Sequence, residues 1–536
     1  MAVASVTPVL APLQSRTFRL LWLGMLAANL GNLIQSVGAG WLMTTLTSSH
    51  AMVALVPASS TLPLMLFSIA SGALADNLDR RNVMLLAQLG MTVVSALLAI
   101  AAFSGLLTPW TLLAFTFLLG CGMTLYNPSW QASVADMVPR EHLSGAITLN
   151  AMGFNSMRSV GPAVGGVVVA LSGAAAAFCL NAVLYLPLVL AIRQWRPEPK
   201  TDQLPREPLL SAMWVGIRYA SLSPRLLTIM LRGCVFGFSA VVIVSLLPSV
   251  TSEQLAGNST IYGTLLACFG LGAIGGGIVN NRLRARFSNE AIVRLGCLGF
   301  ALSSIALGCS QHLFISHIAL LPAGASWIIV VSLFNISIQL FSPRWVVGRS
   351  VSLYQTATFG GMTMGAATWG WAADIFGLTW AFMFAGVGLL LCALLGALFP
   401  LPQFQSSDLE TSATPVETAA GIHAISVDVN VVITIDYTID PQDVPTLLTL
   451  MADRRRFRLR DGVRDWTLLR DIERPDRWTE SYRVTNWTEY LRHHARRTSA
   501  DARNIGQVRA LHKGTEPPTV SRKATTSLRQ TLKSGR

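Results

Sequence analysis

Charge inside an apolar run is the first chemistry visible in this sequence. Arg158 stands in GFNSMRSVGPAVGG and Arg232 in LLTIMLRGCVFGF, each flanked by uncharged residues. A guanidinium at the centre of a bilayer costs at least ~2.5 kcal/mol on insertion scales, so it faces a protein interior and is a functional candidate. Arg158 can hold an anionic group or alternate with a proton carrier; a structural ion pair or a bond to backbone carbonyls is the plainer alternative. Arg232 lies nearer one end of its run and can also snorkel. No Asp or Glu occupies the middle of an apolar run. Asp374, near the end of one, comes closest, and a solvated helix end is its plainer reading.

Uncharged polar residues form a second group. Asn29, Asn32 and Ser36 step by three and four, with Gln35 alongside, so they share one helix face. That face suits a substrate cavity, joined by Tyr126, Asn127, Asn150, Asn155, Tyr354 and Gln355; interhelix hydrogen bonding would use the same residues. A third group is charged: Gly72, Asp76, Arg80 and Arg81, with Asp136, Arg140 and Glu141 further on. Asp76 can cap the helix that follows or face the positive end of another helix. Arg80 and Arg81 can pair with Asp136 or Glu141 as a gate; mere topology anchors are the alternative.

Nothing here reads as a catalytic or metal centre. The seven cysteines have no CxxC spacing and lie in or beside apolar runs, as small buried hydrophobes do. His493 and His494 are adjacent and point about 100° apart on a helix. We therefore expect no enzyme activity, no cofactor and no metal.

The elements that carry these groups follow from composition. The chain has 536 residues, 52% hydrophobic and only 12% charged, against about 25% charged in a soluble protein. Residues 1–400 hold 19 Lys/Arg and 10 Asp/Glu, whereas 401–536 hold 21 and 17. An apolar body is joined to an ordinary polar tail. Twelve runs can cross a bilayer, each near the required ~20 residues: about 18–43, 52–75, 82–104, 109–132, 143–171, 174–193, 225–250, 258–280, 290–309, 314–340, 346–372 and 377–400. Arginines flank every second connection (Arg80–Arg81, Arg140, Arg193–Arg218, Arg282–Arg286, Arg344–Arg349), and the others contain no Lys or Arg. The positive-inside rule then places both termini in the cytoplasm of a plasma-membrane protein. The excess of arginine, +13 net, reads as this topology signal and not as nucleic-acid binding. The start MAVASVTPVLAPLQ has no basic n-region, so the first span is expected to act as the insertion signal.

The body repeats. GALADNLDRR (72–81) aligns with GIVNNRLRAR (277–286) at an offset of 205. Leu125, Tyr126, Asn127 and Gln131 fall on Leu333, Phe334, Asn335 and Gln339 at 208, and Gly161, Gly166 and Gly173 on Gly365, Gly370 and Gly377 at 204. This predicts two six-helix halves, 1–193 and 225–400, joined by a cytoplasmic linker at 194–224. Such halves rock about a central cavity.

These motifs resemble the major facilitator superfamily over residues 16–400. GALADNLDRR is similar to the superfamily's loop motif after the second helix, with Asn77 in place of the usual Arg. FRLLWLG (18–24), GALADNLDRRNVMLLAQ (72–88), NPSWQASVADMVPREHLSGAITLNAMGFN (127–155) and RSVGPAVGG (158–166) resemble the enterobactin-exporter-like, transmembrane secretion effector branch. Gly161, Pro162, Gly165 and Gly166 look like the antiporter motif of proton-linked exporters; a packing seam is compatible with that. The resemblance implies a twelve-helix all-α membrane fold and efflux of a small, partly apolar molecule (siderophore, drug or secondary metabolite) against protons. An importer of the same fold, or a membrane-tethered sensor or enzyme acting through the tail, are the alternatives.

In the tail, 401–421 reads as a linker and 422–513 as a cytosolic domain. A strand at 427–439, a helix from Pro441 to about Arg458, a hairpin of 464–472 and 477–485, and a helix from Trp487 to about Arg503 are expected. This order resembles the ferredoxin-like, antibiotic-monooxygenase-like α+β domain, implying ligand sensing or dimerisation. Arg454, Arg455 and Arg456 suggest a solvated face or a headgroup contact. Residues 514–536 are expected to be disordered.

Overall fold

The computed structural model describes residues 10–196, 209–343, 346–401, 430–460, 462–487, 489–490 and 499–524. Residues 197–208 and 402–429, Arg344, the His493–His494 pair, and the side chains of Asp76, Arg140 and Asn155 lie outside the described residues. The described chain divides into two compact units. One takes in residues 1–213, 228–337 and 351–403; the other takes in 214–227, 338–350 and 404–536.

The helices are α1 (Arg16–Leu46), α2 (His50–Asn77), α3 (Arg80–Phe103), α4 (Pro109–Met137), α5 (Leu143–Gln194), α6 (Leu209–Ser221), α7 (Pro224–Ser249), α8 (Ser259–Arg286), α9 (Asn289–Cys309), α10 (Leu313–Leu340), α11 (Val347–Phe376) and α12 (Leu378–Leu398). Their starts are set by short polar side chains. Ser15, Ser49, Asp79, Thr108, Asn258 and Ser288 each accept a hydrogen bond from the first turn that follows. The cap of α3 is thus Asp79, which accepts from the Arg81 backbone N–H at 3.0 Å, and not the Asp76 considered from the sequence. Asp79 is the residue immediately before the helix, which is where a cap must stand.

Ten of these helices are long and apolar enough to cross a membrane. The expected fifth and sixth spans run on as the 52-residue α5, and α11 is long enough but not apolar enough. Within α5 the backbone breaks at Gly173, with φ 79°. Gly377, 204 residues later, takes φ 89° between α11 and α12. A side chain is strained in that region of backbone space, so the two aligned glycines perform the same turn.

Helix contacts repeat at the same spacing. A Cβ on Gly161 would stand 2.7 Å from Leu33 on α1, and one on Gly365 would stand 2.1 Å from the Phe238 carbonyl oxygen on α7. A Cβ on Gly166 would be 2.7 Å from the Ser259 carbonyl oxygen at the start of α8. One on Gly370 would be 3.2 Å from the His50 carbonyl oxygen, and 2.7 Å from Ala51 Cα, at the start of α2. The same two crossings, α1 on α5 with α5 on α8, and α7 on α11 with α11 on α2, are built twice. Absence of side chains is what lets backbones approach this closely.

The second unit contains a four-stranded antiparallel sheet of β1 (Val431–Thr438), β2 (Arg464–Arg470), β3 (Arg477–Val484) and β4 (Thr519–Ala524) in the order β2-β3-β1-β4. With α13 (Val444–Arg460) after β1 and α14 (Ser499–Leu511) after β3, this is the split βαβ arrangement. β4 corrects the expectation of disorder for 519–524, and residues 525–536 lie outside the described residues. TVSRKA carries no apolar alternation, and its stability comes from the ladder to β1, Val431 facing Ala524 and Asp436 facing Thr519. Arg218 Nη2 donates to the Val463 carbonyl at 2.7 Å, and the Arg460 guanidinium lies 5.3 Å from the Tyr219 ring.

Candidate functional site

The polar residues along α1 part company. Asn29 and Asn32 are half-buried, whereas Gln35 is buried and taken up by its neighbours. Its Oε1 accepts from Ser95 Oγ at 3.0 Å and from Asn181 Nδ2. Successive steps of three drift about 60° each around the helix, which carries Gln35 about 120° from Asn29, enough to move it from the open face into the α1–α3–α5 packing. Tyr126 is buried and stacks on Trp130, ring centroids 6.0 Å apart. Tyr354 is buried with its ring against Gly233 of α7. Asn127 and Gln355 are half-buried.

The charged group near Asp76 lies at the arginine-rich end of the bundle. Arg80 Nη1 is 3.1 Å from Asp136 Oδ2 and also donates to the Ala132 carbonyl at 3.1 Å. Arg81 instead donates to the carbonyls of Ile192 and Arg193, at 3.2 and 2.7 Å. These are the last carbonyls of α5, where the helix dipole is negative. Gly72 faces α11: a Cβ there would be 3.3 Å from Ser352 Oγ.

Two seams join the repeated parts. Along the first, α2 meets α11 at three depths. Ser68 Oγ contacts Thr356 Oγ1 at 2.6 Å near the arginine-rich end, and Thr61 Oγ1 contacts Thr363 Oγ1 at 3.1 Å in the middle. At the opposite end, Asp374 accepts from Ser49 Oγ at 2.8 Å and from the backbone N–H groups of His50 and Ala51 at 2.6 and 3.2 Å. His50 Nδ1 is also 3.6 Å from Glu253 Oε1. Asp374 is exposed, as the plainer reading of a solvated helix end expects, and it also caps a helix remote in the chain. Along the second seam, α5 meets α8. Gly166 and Gly263 touch, and further along Arg158 lies 5.9 Å from the Phe269 ring centroid.

The two embedded arginines differ. Arg232 is fully buried and grips Glu290 with both terminal nitrogens, at 2.5 and 3.1 Å. Glu290 also accepts from Arg294 Nε and from the Leu401 backbone N–H, both at 3.0 Å. Arg232 is therefore a clamp on α7, α9 and the end of α12, and neither a cavity residue nor a snorkelling one. Sequence reasoning missed Glu290, the second residue of α9. The signal available was Arg232 itself, because a buried guanidinium demands a counter-charge.

In the tail, Glu480 is fully buried between Arg458 and Arg454, at 3.0 and 3.4 Å, and accepts from Trp466 Nε1 at 3.1 Å. Burial pushes its carboxyl up, but Arg458 and Arg454 outweigh that and hold it below the usual carboxylate range. Burial pushes the Tyr437 phenol up to about 12, against the pull of Arg454. Arg454 belongs to this core and corrects the reading of 454–456 as one surface. Leu447, Met451, Arg454 and Arg458 share the inner face of α13, and Arg455 and Arg456 are exposed. Among the described residues no group of three His, Cys, Asp or Glu could hold a metal ion.

Long apolar helices, a repeated pair of seams and embedded charge define a multi-pass membrane transporter. The chain belongs to the transmembrane secretion effector family, which matches residues 7–531 and is a family of transporters, not enzymes. It is 28% identical to the enterobactin exporter EntS of Shigella dysenteriae over 65% of this chain and 83% of that one. It is 24% identical to the multidrug efflux pump Tap of Mycolicibacterium fortuitum, over 72% and 95%. It is also 24% identical to the staphyloferrin A transporter of Staphylococcus aureus, over 46% of this chain and 62% of that one. Among solved structures it superposes on the POT family transporter PepTSo with a TM-score of 0.59 at 14% identity, covering 72% and 97%. On an inward-facing bacterial homologue of the lysosomal transporter Spinster it scores 0.58 at 15%, covering 73% and 98%. These likenesses show the fold.

Proposed function

We propose that this protein exports a small, partly apolar molecule from the cytoplasm by alternating access, in exchange for protons. In this reading it crosses the plasma membrane twelve times, counting the break at Gly173 as a turn and α11 as a span. Residues 1–193 and 225–400 are its two halves, and both termini are cytoplasmic. The observation that supports it most is the duplicated seam. Gly166 of α5 against α8 and Gly370 of α11 against α2 are the pivots, and Asp374 of α11 against the start of α2 is a contact that must break when the outer side opens. The Arg80–Asp136 pair holds the cytoplasmic ends of α3 and α4, with Gly72 against α11 as the facing contact and Asp76 and Arg140 nearby. Asn29, Asn32, Asn127 and Gln355 line the cavity. The direction rests on the likeness to exporters and efflux pumps, and the proton coupling on the resemblance of Gly161, Pro162, Gly165 and Gly166 to the antiporter motif of proton-linked exporters. The tail, read as an antibiotic-monooxygenase-like domain, senses a ligand or pairs two copies.

The test is substrate-dependent proton flux in vesicles reconstituted with the full chain, across a panel of compounds. Ser49→Cys with Asp374→Cys, in a background lacking the seven native cysteines, should stop that flux when bridged by a short thiol crosslinker and restore it on reduction. Undiminished flux in the bridged protein would sink alternating access through this seam.

A further inference from the structure

We infer that Arg158 and Phe269 form a subsite for an anionic group, so that the transported molecules are organic anions with an aromatic or apolar body. This rests on the carrier reading above and names the substrate class of the same cavity.

Four observations converge. Arg158 is midway between the start of α5 at Leu143 and its break at Gly173, where an uncompensated charge is most costly. Arg232, the other embedded arginine, has a carboxylate held bidentately, whereas among the described residues Arg158 has only the ring of Phe269. Arg158 is intermediate in burial as a whole residue, where Arg232 is fully enclosed. Its depth is also that of Asn29: Gly153 packs on Leu26 and Gly161 on Leu33, so α1 and α5 run in register and bring the Asn29 level to Arg158.

The ring defines what the cation can do. A guanidinium over an aromatic face is held in plane by the quadrupole while its N–H groups, which lie at its edge, stay free. Those edges match the two oxygens of a carboxylate or sulfonate. Phe269 is itself braced, edge-on to Phe300 at 6.5 Å, and Phe300 packs on Trp327 and Phe236 at 6.3 and 6.0 Å. The plate behind the cation is a rigid aromatic wall that suits an aryl body. Because Arg158 is on α5 and Phe269 on α8, an anion bound there touches both sides of the seam that must rock.

The experiment uses the full chain in lipid nanodiscs and matched aryl carboxylates and carboxamides, naphthoxyacetate against naphthoxyacetamide being one pair. Thermal-shift binding is measured first, then efflux from vesicles. We expect carboxylates to bind about tenfold or more tightly than their amides, the scale of one charge-assisted bidentate contact. Arg158→Gln should erase that preference, Arg158→Lys should keep part of it, and Phe269→Leu should weaken it. Equal binding of acid and amide by the native protein, or a preference that survives in Arg158→Gln, overturns the subsite. If the acids bind as expected but no compound moves under any gradient, the carrier reading fails and the subsite stands.

Discussion

The carboxylate of Asp374, in the last turn of α11, caps the first turn of α2 through the backbone N–H of His50, 324 residues away in the chain. A helix start has unsatisfied donors and a positive dipole end, so one carboxylate settles both. Removing the acceptor should cost roughly 1 kcal/mol, about a fivefold change in the population closed at this end. Asp374→Ala should make cysteines introduced beneath the seam react faster with membrane-impermeant thiol reagents from that side. Asp374→Asn, which keeps one acceptor, should fall between. Unchanged labelling rates in both would remove Asp374 from the gate.

The two pivot glycines should behave alike and differently from their neighbours. A Cβ at Gly166 or Gly370 meets backbone within 2.7 Å, whereas Gly90 and Gly277 have nothing within 4 Å. Gly166→Ala and Gly370→Ala should each cost about 1–3 kcal/mol of overpacking and slow transport together. Gly90→Ala and Gly277→Ala should leave it intact. Transport assays with surface-expression controls decide this.

The Arg232–Glu290 pair predicts an asymmetry between breaking and replacing. Glu290→Ala leaves the fully buried Arg232 without its carboxylate and should cost about 3–5 kcal/mol, read as a lower melting temperature in detergent; Arg232→Ala should cost less, because the half-buried Glu290 keeps Arg294. Arg232→Met with Glu290→Leu should recover much of it. A double variant as unstable as the singles would show that the pair does more than neutralise itself.

In the tail, Glu480 is expected to set the acid limit. Its folded carboxyl titrates below the usual range, so its contribution is complete above the unfolded value near 4.3 and is lost as pH falls through the lower folded one. Protection from hydrogen exchange over residues 430–460 and 462–484, corrected for the intrinsic pH dependence of amide exchange, should stay flat from pH 7 to about 5 and fall below the unfolded value. Glu480→Gln should lower protection at neutral pH, since Arg454 and Arg458 keep no counter-charge, and the difference from the native protein should vanish once Glu480 is itself protonated.

Some of this was legible in the sequence and some was not, for physical reasons. The glycines at 161, 166 and 173 announced their partners at 365, 370 and 377, because close approach and positive φ leave few other choices. Arg80 with Asp136 was legible as opposite charges at neighbouring helix ends. Glu290 was not, since 58 residues separate it from Arg232 and its place in the first turn of α9 made it look like an ordinary end charge. Gln35 and Arg454 were misread because polar side chains within one run face different ways. β4 was invisible because its ladder to β1, not its composition, makes it a strand.

Arg158 has a final consequence. A charge neutralised on the spot, as Arg232 is by Glu290, feels no net pull from the membrane voltage. One left bare at mid-depth does, at ~2.3 kcal/mol for each charge carried through 100 mV. If the proposed rocking carries Arg158 through part of the field, the resting orientation should respond to voltage. Each stroke of the empty protein should then leave an electrical trace, a small transient current recordable before any cargo is found.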